Sequence, residues 1–497
     1  MSDPSAIQLP VHQALTSDML LGLKPSAPKS RSYRISVPPL NKNVFIPGDQ
    51  MIFELPTGRK GTWLDQSQSY LKFSVQAAAT AAVPLGNNGL YLDNTAYSFI
   101  QRLDIYNSSN LLETINEYGQ LANFLLDSSL TQSDKAGLSP LIGSNAFNYS
   151  TLAGGVYAQG GSVNSVQVAG DRSGQSLVAP QVVGGQIPAA AISYTFCLPV
   201  LSGVVGVNAS KMLPVGQIVN PIRCEFYLAN VNDAIYAGTA AAGAIWQLVN
   251  VEFVVCYVEL TDGSFDMQMG PDEANYISTT TYRQTSATIP TASAGEFTSM
   301  LPFRCSSLTA IYARFRNQAS AVQGVNATAA YRKSSSVNPN LSQYYFRIGS
   351  SMYPNKPVYL MSSTTGTGGE GYAELLKSFH ALSASIGNSS ITFQNYNVAT
   401  TATVGFALAS IPAARLPAIV PDTYNNAFAI GLELQSFSNR NDTILSGVST
   451  LNSQVFFTGT IFNGQTAGGG NADIIADFFA QMDMILVLQN GILSAKF

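Results

Sequence analysis

Histidine is the side chain most used for acid–base and metal chemistry near neutral pH, and this sequence of 497 residues has only two, His12 and His380. Neither has carboxylates or cysteines nearby at ligand spacing. A triad or metal centre would rest on His380 alone, which sits at the end of a helical segment and reads as a contact with the helix C-terminus. The pairs Asp262/Asp266 and Asp473/Asp477 have the residue type of glycosidase acids, but no aromatic-flanked cleft motif accompanies them; they read as turn and cap residues. Gly366-Thr-Gly-Gly-Glu-Gly371 satisfies G-x-G-x-x-G and follows the strand-like Val358–Met361. A dinucleotide site also needs an acid at the end of the next strand, and Ser390–Asn395 ends in amides. Cys197, Cys224, Cys256 and Cys305 lie in or beside apolar runs with no C-x-x-C, so they read as buried reduced thiols. No enzyme, cofactor or metal is expected from these residues.

Two segments carry more distinctive residues than strand-building requires. In the first, Phe53–Phe73, a glycine-rich corner presents Arg59, Trp63 and Asp65. In the second, Tyr344–Val358, a strand bearing Arg347 runs into a turn and a proline-stiffened extension with Tyr353, Pro354 and Pro357.

The elements that must position them are β-strands. Tyr70–Val75, Phe99–Ile105 and Arg223–Leu228 alternate at period two, and Leu248–Leu260 is apolar on both faces, as a central strand would be. Leu308–Phe315, Tyr344–Ile348, Phe428–Leu434 and Met482–Leu488 repeat this style, with turn clusters such as Asn107–Asn110 and Asn490-Gly491 between runs. Only 115–127 and 371–381 have helical spacing, through Tyr118, Leu121 and Leu125 and through Tyr372, Leu375 and Phe379.

These landmarks recur in order in the two halves. Ile105…Ser108-Ser109 pairs with Ile348…Ser350-Ser351, and Tyr118 pairs with Tyr372. Leu213-Pro214 pairs with Leu416-Pro417, and the closing strand at Glu252 pairs with that at Asp483. A duplicated set of about eight strands with one helix inserted is the pattern of a jelly roll. The expected fold is all-β: two tandem eight-stranded jelly rolls, each with a short inserted helix. The units span 40–260, with a Gly-, Ser- and Val-rich excursion at about 130–192, and 265–497. Residues 1–39 form an N-terminal arm whose basic cluster is Lys24, Lys29, Arg31 and Arg34.

Composition narrows the role. Hydrophobic residues make up 46% and charged residues 11%, with a net charge of −4, against roughly 25% charged residues in an average soluble domain. Mean hydropathy is +0.13. Such a chain suits packing against other protein, and it lacks the basic face that nucleic-acid binding requires. No basic n-region and apolar h-region mark an export signal at the start. The apolar stretches near 173–210 and 400–420 are broken by prolines, which argues against spanning helices.

At the two distinctive segments the sequence resembles the double jelly-roll major capsid proteins of Polinton-like viruses, adintoviruses and their relatives. The Pro-Thr-Gly…Leu-Asp…Leu-Lys-Phe and Arg-Ile-Gly-Ser…Tyr-Pro…Pro stretches carry the likeness, over about a tenth of the chain. The resemblance implies a homotrimer whose six rolls form a pseudo-hexagonal capsomer, tiling the icosahedral shell of a double-stranded DNA virus. It implies a virion location after assembly inside the host cell, and contacts with neighbouring capsomers and with penton and minor capsid proteins. An internal membrane beneath the shell stays open, and no specific nucleic-acid binding is expected. Arg59, Trp63, Asp65, Arg347, Tyr353, Pro354 and Pro357 are then candidate assembly residues, and the basic cluster is expected to face inward. The alternative reading is a trimeric β-rich fibre, spike or adhesin head; a carbohydrate-active enzyme fits least.

Overall fold

The structure is a computed structural model. It describes residues 29–79, 90–144, 191–237, 244–260, 274–317, 338–360, 369–379, 427–435, 445–464 and 473–497, with short pieces between. Lys24, His12, His380, Asp262, Asp266, Leu416 and Pro417 lie outside the described residues.

In the first half, the strands are β1 (Ser30–Val37), β2 (Gln50–Leu55), β3 (Thr62–Ala78), β4 (Ile100–Asn107), β5 (Asn110–Asn116), β6 (Tyr194–Pro199), β7 (Ile222–Leu228) and β8 (Ile245–Leu260), with helix α1 (Tyr118–Ser129) after β5. They form two four-stranded antiparallel sheets, ordered β1-β8-β3-β6 and β2-β7-β4-β5. Alternation explains the layers. In β7, Ile222, Cys224 and Phe226 turn inward, while Arg223 and Tyr227 turn outward. The inward side chains meet as edge-on aromatic pairs, Phe53 with Phe226 and Phe253, and Phe99 with Trp246, a geometry worth about 0.5–1.5 kcal/mol per pair beyond burial.

The second half repeats the winding. Its strands are β9 (Asn275–Ile289), β10 (Glu296–Leu301), β11 (Leu308–Asn317), β12 (Leu341–Ile348), β13 (Ser351–Tyr359), β14 (Ala429–Glu433), β15 (Val455–Ile461), β16 (Ile474–Gln489) and β17 (Ile492–Lys496), with α2 (Gly369–Ser378) after β13. The sheets are ordered β9-β16-β11-β14 and β10-β15-β12-β13. Strand for strand this is the order of the first half, so the chain is two tandem jelly rolls with a helix at the same place in each. Its core gathers Phe315, Phe346, Phe457 and Phe478. β17 is an addition: Asn490 and Gly491 take positive φ of 52° and 73°, the tight reversal that an Asn-Gly pair makes cheap, and the chain returns along β16.

Three expectations change. The first roll starts at Ser30, not at residue 40, so Arg31 and Arg34 belong to β1, paired with Glu259 and Cys256 of β8. Leu213 lies between β6 and β7, whereas Leu416 lies between α2 and β14, so these are not counterparts. Leu213 bridges Leu64 at the start of β3, and Val448 bridges Leu308 at the start of β11, which makes Val448 the counterpart. The closing strands also shift. Leu64 faces Tyr257 and Leu308 faces Met482, so Tyr257, not Val251, corresponds to Met482. Both rolls therefore carry a long helix-to-strand excursion, 130–193 and 379–428.

Antiparallel strands send their connections alternately to the two ends of a roll. Leu90–Asp93, Ser173–Leu177 and Ile235–Ala237 form a small three-stranded sheet at the end that also bears α1. The Arg59 corner, the start of β1 and the end of β8 lie at the opposite end.

Candidate assembly surfaces

The two rolls meet along a buried, mostly polar seam. At the corner end, Glu113 of β5 is sealed from solvent. It accepts hydrogen bonds from Thr281 Oγ1 at 2.5 Å, from the Gly203 amide at 3.1 Å and from the Ser202 hydroxyl. Burial pushes the Glu113 carboxyl up from its ordinary value, and these hydrogen bonds oppose the rise only in part. Thr279 of β9 donates to the carbonyls of Gly203 at 2.9 Å and Asn208 at 3.1 Å, and the Ser210 hydroxyl donates to the Ser278 carbonyl. A cleft of about 340 Å³ lies beside Glu113, lined by Leu111, Asn116, Arg283 and Phe497 among others.

At the helix end the seam is denser. Lys333 reaches from the second roll to Glu117 at 2.9 Å and Asp233 at 3.1 Å in the first. Ser334 donates its amide to Asp93 at 2.9 Å and bonds that carboxylate through its hydroxyl as well. Arg314 of β11 donates to Gln120 Oε1 at 3.2 Å and to the Ser334 carbonyl. Burial drags the Arg314 guanidinium down to about 10, which leaves it charged at neutral pH. Phe124 of α1 packs edge-on against Tyr312, whose ring stacks on Phe379 at 4.7 Å. Gly119 allows α1 to begin so close to the helical turn before β4, because a Cβ there would clash with the Tyr97 carbonyl.

The sequence-predicted residues fall in two places. Arg59 and Arg31 share Glu259, at 2.7 and 2.9 Å, and both guanidinium groups lie over the Tyr33 ring, at 6.0 and 5.4 Å. Trp63 faces Val258 in the next strand. Asp65 turns back on itself, accepting from the Ser67 amide and hydroxyl. Arg34 donates to the Tyr70 hydroxyl at 3.2 Å, and Lys29 is exposed just before β1. In the second roll, Arg347 stacks on Phe456 at 4.8 Å, while Tyr353, Pro354 and Pro357 lie on the edge strand β13. The two groups sit on different rolls, and a single chain does not bring them together. Of the carboxylates weighed as acids, Asp477 pairs with Arg316 at 2.6 Å and Asp473 accepts from the Thr291 amide; both are structural.

One array escaped the sequence reading. β4 carries Arg102-x-Asp104-x-Tyr106 and β7 carries Arg223-x-Glu225-x-Tyr227 on their outward faces. Because the strands are antiparallel, each arginine faces the other strand's tyrosine and the acids face each other. Arg102 stacks on Tyr227 at 3.9 Å and binds Asp104 at 3.0 Å; Arg223 lies 5.1 Å from Tyr106 and binds Glu225 at 2.8 Å. Burial raises the Asp104 carboxyl despite Arg102 beside it. Asp104 Oδ1 and Arg102 Nε are buried without a hydrogen-bond partner. The repeated Arg-x-acid-x-Tyr in two alternating runs was the available signal.

These features define a double jelly-roll protein whose polar chemistry is spent on joining β-barrels. Among the described residues no helix is long and apolar enough to cross a membrane. No protein-family model matches the chain, and no curated protein matches it. Solved structures do match in fold. The Faustovirus major capsid protein is 10% identical with a TM-score of 0.59, covering 98% of this chain and 95% of that one. A chain from the Sputnik virophage structure is 13% identical with a TM-score of 0.57, covering 99% and 94%. The mavirus major capsid protein is 11% identical with a TM-score of 0.51, covering 100% and 96%.

Proposed function

We propose that this chain is a structural major capsid protein that assembles as a homotrimer, a six-roll pseudo-hexagonal capsomer of an icosahedral double-stranded DNA virus shell. The carrying observation is that two rolls of the same winding are joined by a buried seam within one chain. The fold likeness to the Faustovirus and mavirus major capsid proteins over nearly the whole of both chains supports the same reading. A low-charge surface also suits large permanent interfaces, because neutral polar groups exchange water for hydrogen bonds at little cost whereas unpaired charges do not.

On this reading the capsomer meets its neighbours, pentons and minor capsid proteins. The excursion with the three-stranded sheet points outward, and the start of β1, with Lys29, Arg31 and the preceding arm, points to the interior. Measuring native mass and imaging the purified chain tests the proposal. Three chains of 52.7 kDa each in a six-lobed ring support it, whereas a stalked, elongated trimer favours the fibre-head alternative.

A further inference from the structure

The seam inside one chain has an unfilled counterpart on the outside. Within the chain, β5 and the loop before β7 clasp the start of β9: Glu113 holds Thr281, and Ser210 holds the Ser278 carbonyl. The registers locate the matching positions. Tyr257 and Met482 are counterparts through their bridges to Leu64 and Leu308. Their partners Tyr33 and Thr281 are therefore counterparts too, as are Ser30 and Ser278 three residues earlier. On the clasping side, Ile105 faces Glu113 and Phe346 faces Tyr353, each two residues before the end of its strand, so Tyr353 stands where Glu113 does. Val448 stands for Leu213, which puts Leu445 at the place of Ser210.

We propose that the second roll of one copy clasps the β1 edge of the next copy, with Tyr353 against Tyr33 and Leu445 against Ser30, repeating between chains the step already made within one. This rests on the capsid reading and assigns its trimer contact. The residues suit the contact. Leu445 is 44% exposed and Tyr359, at the end of β13, is 55% exposed, large hydrophobic side chains left half open to solvent in a single chain. The polar Glu113–Thr281 pair is replaced by two tyrosines, and Tyr33 already carries Arg31 and Arg59 beside its ring, an arrangement that gains when water is excluded. The contact is head-to-tail, so it leaves no free end only in a closed ring. It also brings together the Arg59 corner and the Tyr353–Pro357 strand, which one chain keeps apart.

The test is cross-linking of the full chain carrying Ser30→Cys and Leu445→Cys with a short bifunctional thiol reagent. The unaltered chain and the internal Ser210→Cys/Ser278→Cys pair serve as controls. Covalent dimers and trimers from the first pair alone are expected. Leu445→Arg, an exposed change that sets a cation against Arg31 and Arg59, is expected to weaken assembly about 100-fold, as loss of an interface anchor does, with the circular dichroism of the folded chain unchanged. A native trimer that neither cross-links nor responds to Leu445→Arg overturns this contact and leaves the capsid reading standing. A monomer at every concentration overturns both.

Discussion

Glu113 shows how one side chain decides the chemistry of the seam. Its folded-state pKa is raised above the ordinary carboxylate value of 4.5, so the folded state binds the proton more tightly than the unfolded chain. Its contribution is complete below that value and is lost as pH rises through the raised pKa. Glu113→Gln, which cannot ionise, is expected to flatten the fall in stability as pH rises above 4.5, read by urea unfolding at several pH values; an unchanged slope contradicts this. Lys333, itself buried, behaves differently, because it neutralises two partly buried acids. Lys333→Ala strands Glu117 and Asp233 and is expected to cost about 3–5 kcal/mol, and a loss under 1 kcal/mol would show that water replaces the ammonium. The sequence displayed neither role. Glu113 lies in an ordinary alternating strand, and its partners come from a loop and a strand 90 and 168 residues away.

At the scale of elements, α1 is the joint between rolls. Phe124→Ala removes the ring that meets Tyr312 and Phe379 and is expected to cost about 3–5 kcal/mol. Calorimetry should then resolve two transitions where one is expected of the intact chain; a single transition at a lower temperature would mean that the polar contacts alone couple the rolls. Helices α1 and α2 and most strands were legible in the sequence, because 3.6-residue and two-residue periodicities were clean in segments such as Tyr118–Leu125 and Arg223–Leu228; the short helical turns at 132–142 and 231–234 were not. The register of the closing strands was not. Leu248–Leu260 and Met482–Leu488 are apolar at nearly every position, so a slide of six residues leaves the pattern unchanged and only the bridges of Leu64 and Leu308 fix it. The Leu-Pro pair misled for a related reason: a dipeptide marks a turn without saying which turn. The Arg-x-acid-x-Tyr repeats were visible as residues, but their pairing depends on β4 and β7 being neighbours, which chain order does not reveal.

At the scale of the molecule, the placement of connections gives the two-roll unit a direction. The chain enters β1 at the end opposite the small three-stranded sheet, so under the proposed orientation residues 1–28 are expected to resist protease in assembled particles and to be cut in free capsomers; equal cleavage in both contradicts the inward assignment. The central claim is that two like rolls make a unit that closes with two copies of itself. Negative-stain imaging of the purified full chain tests it most directly. The account predicts rings of six lobes around a central axis, and a field of solitary two-lobed particles at every concentration would contradict it.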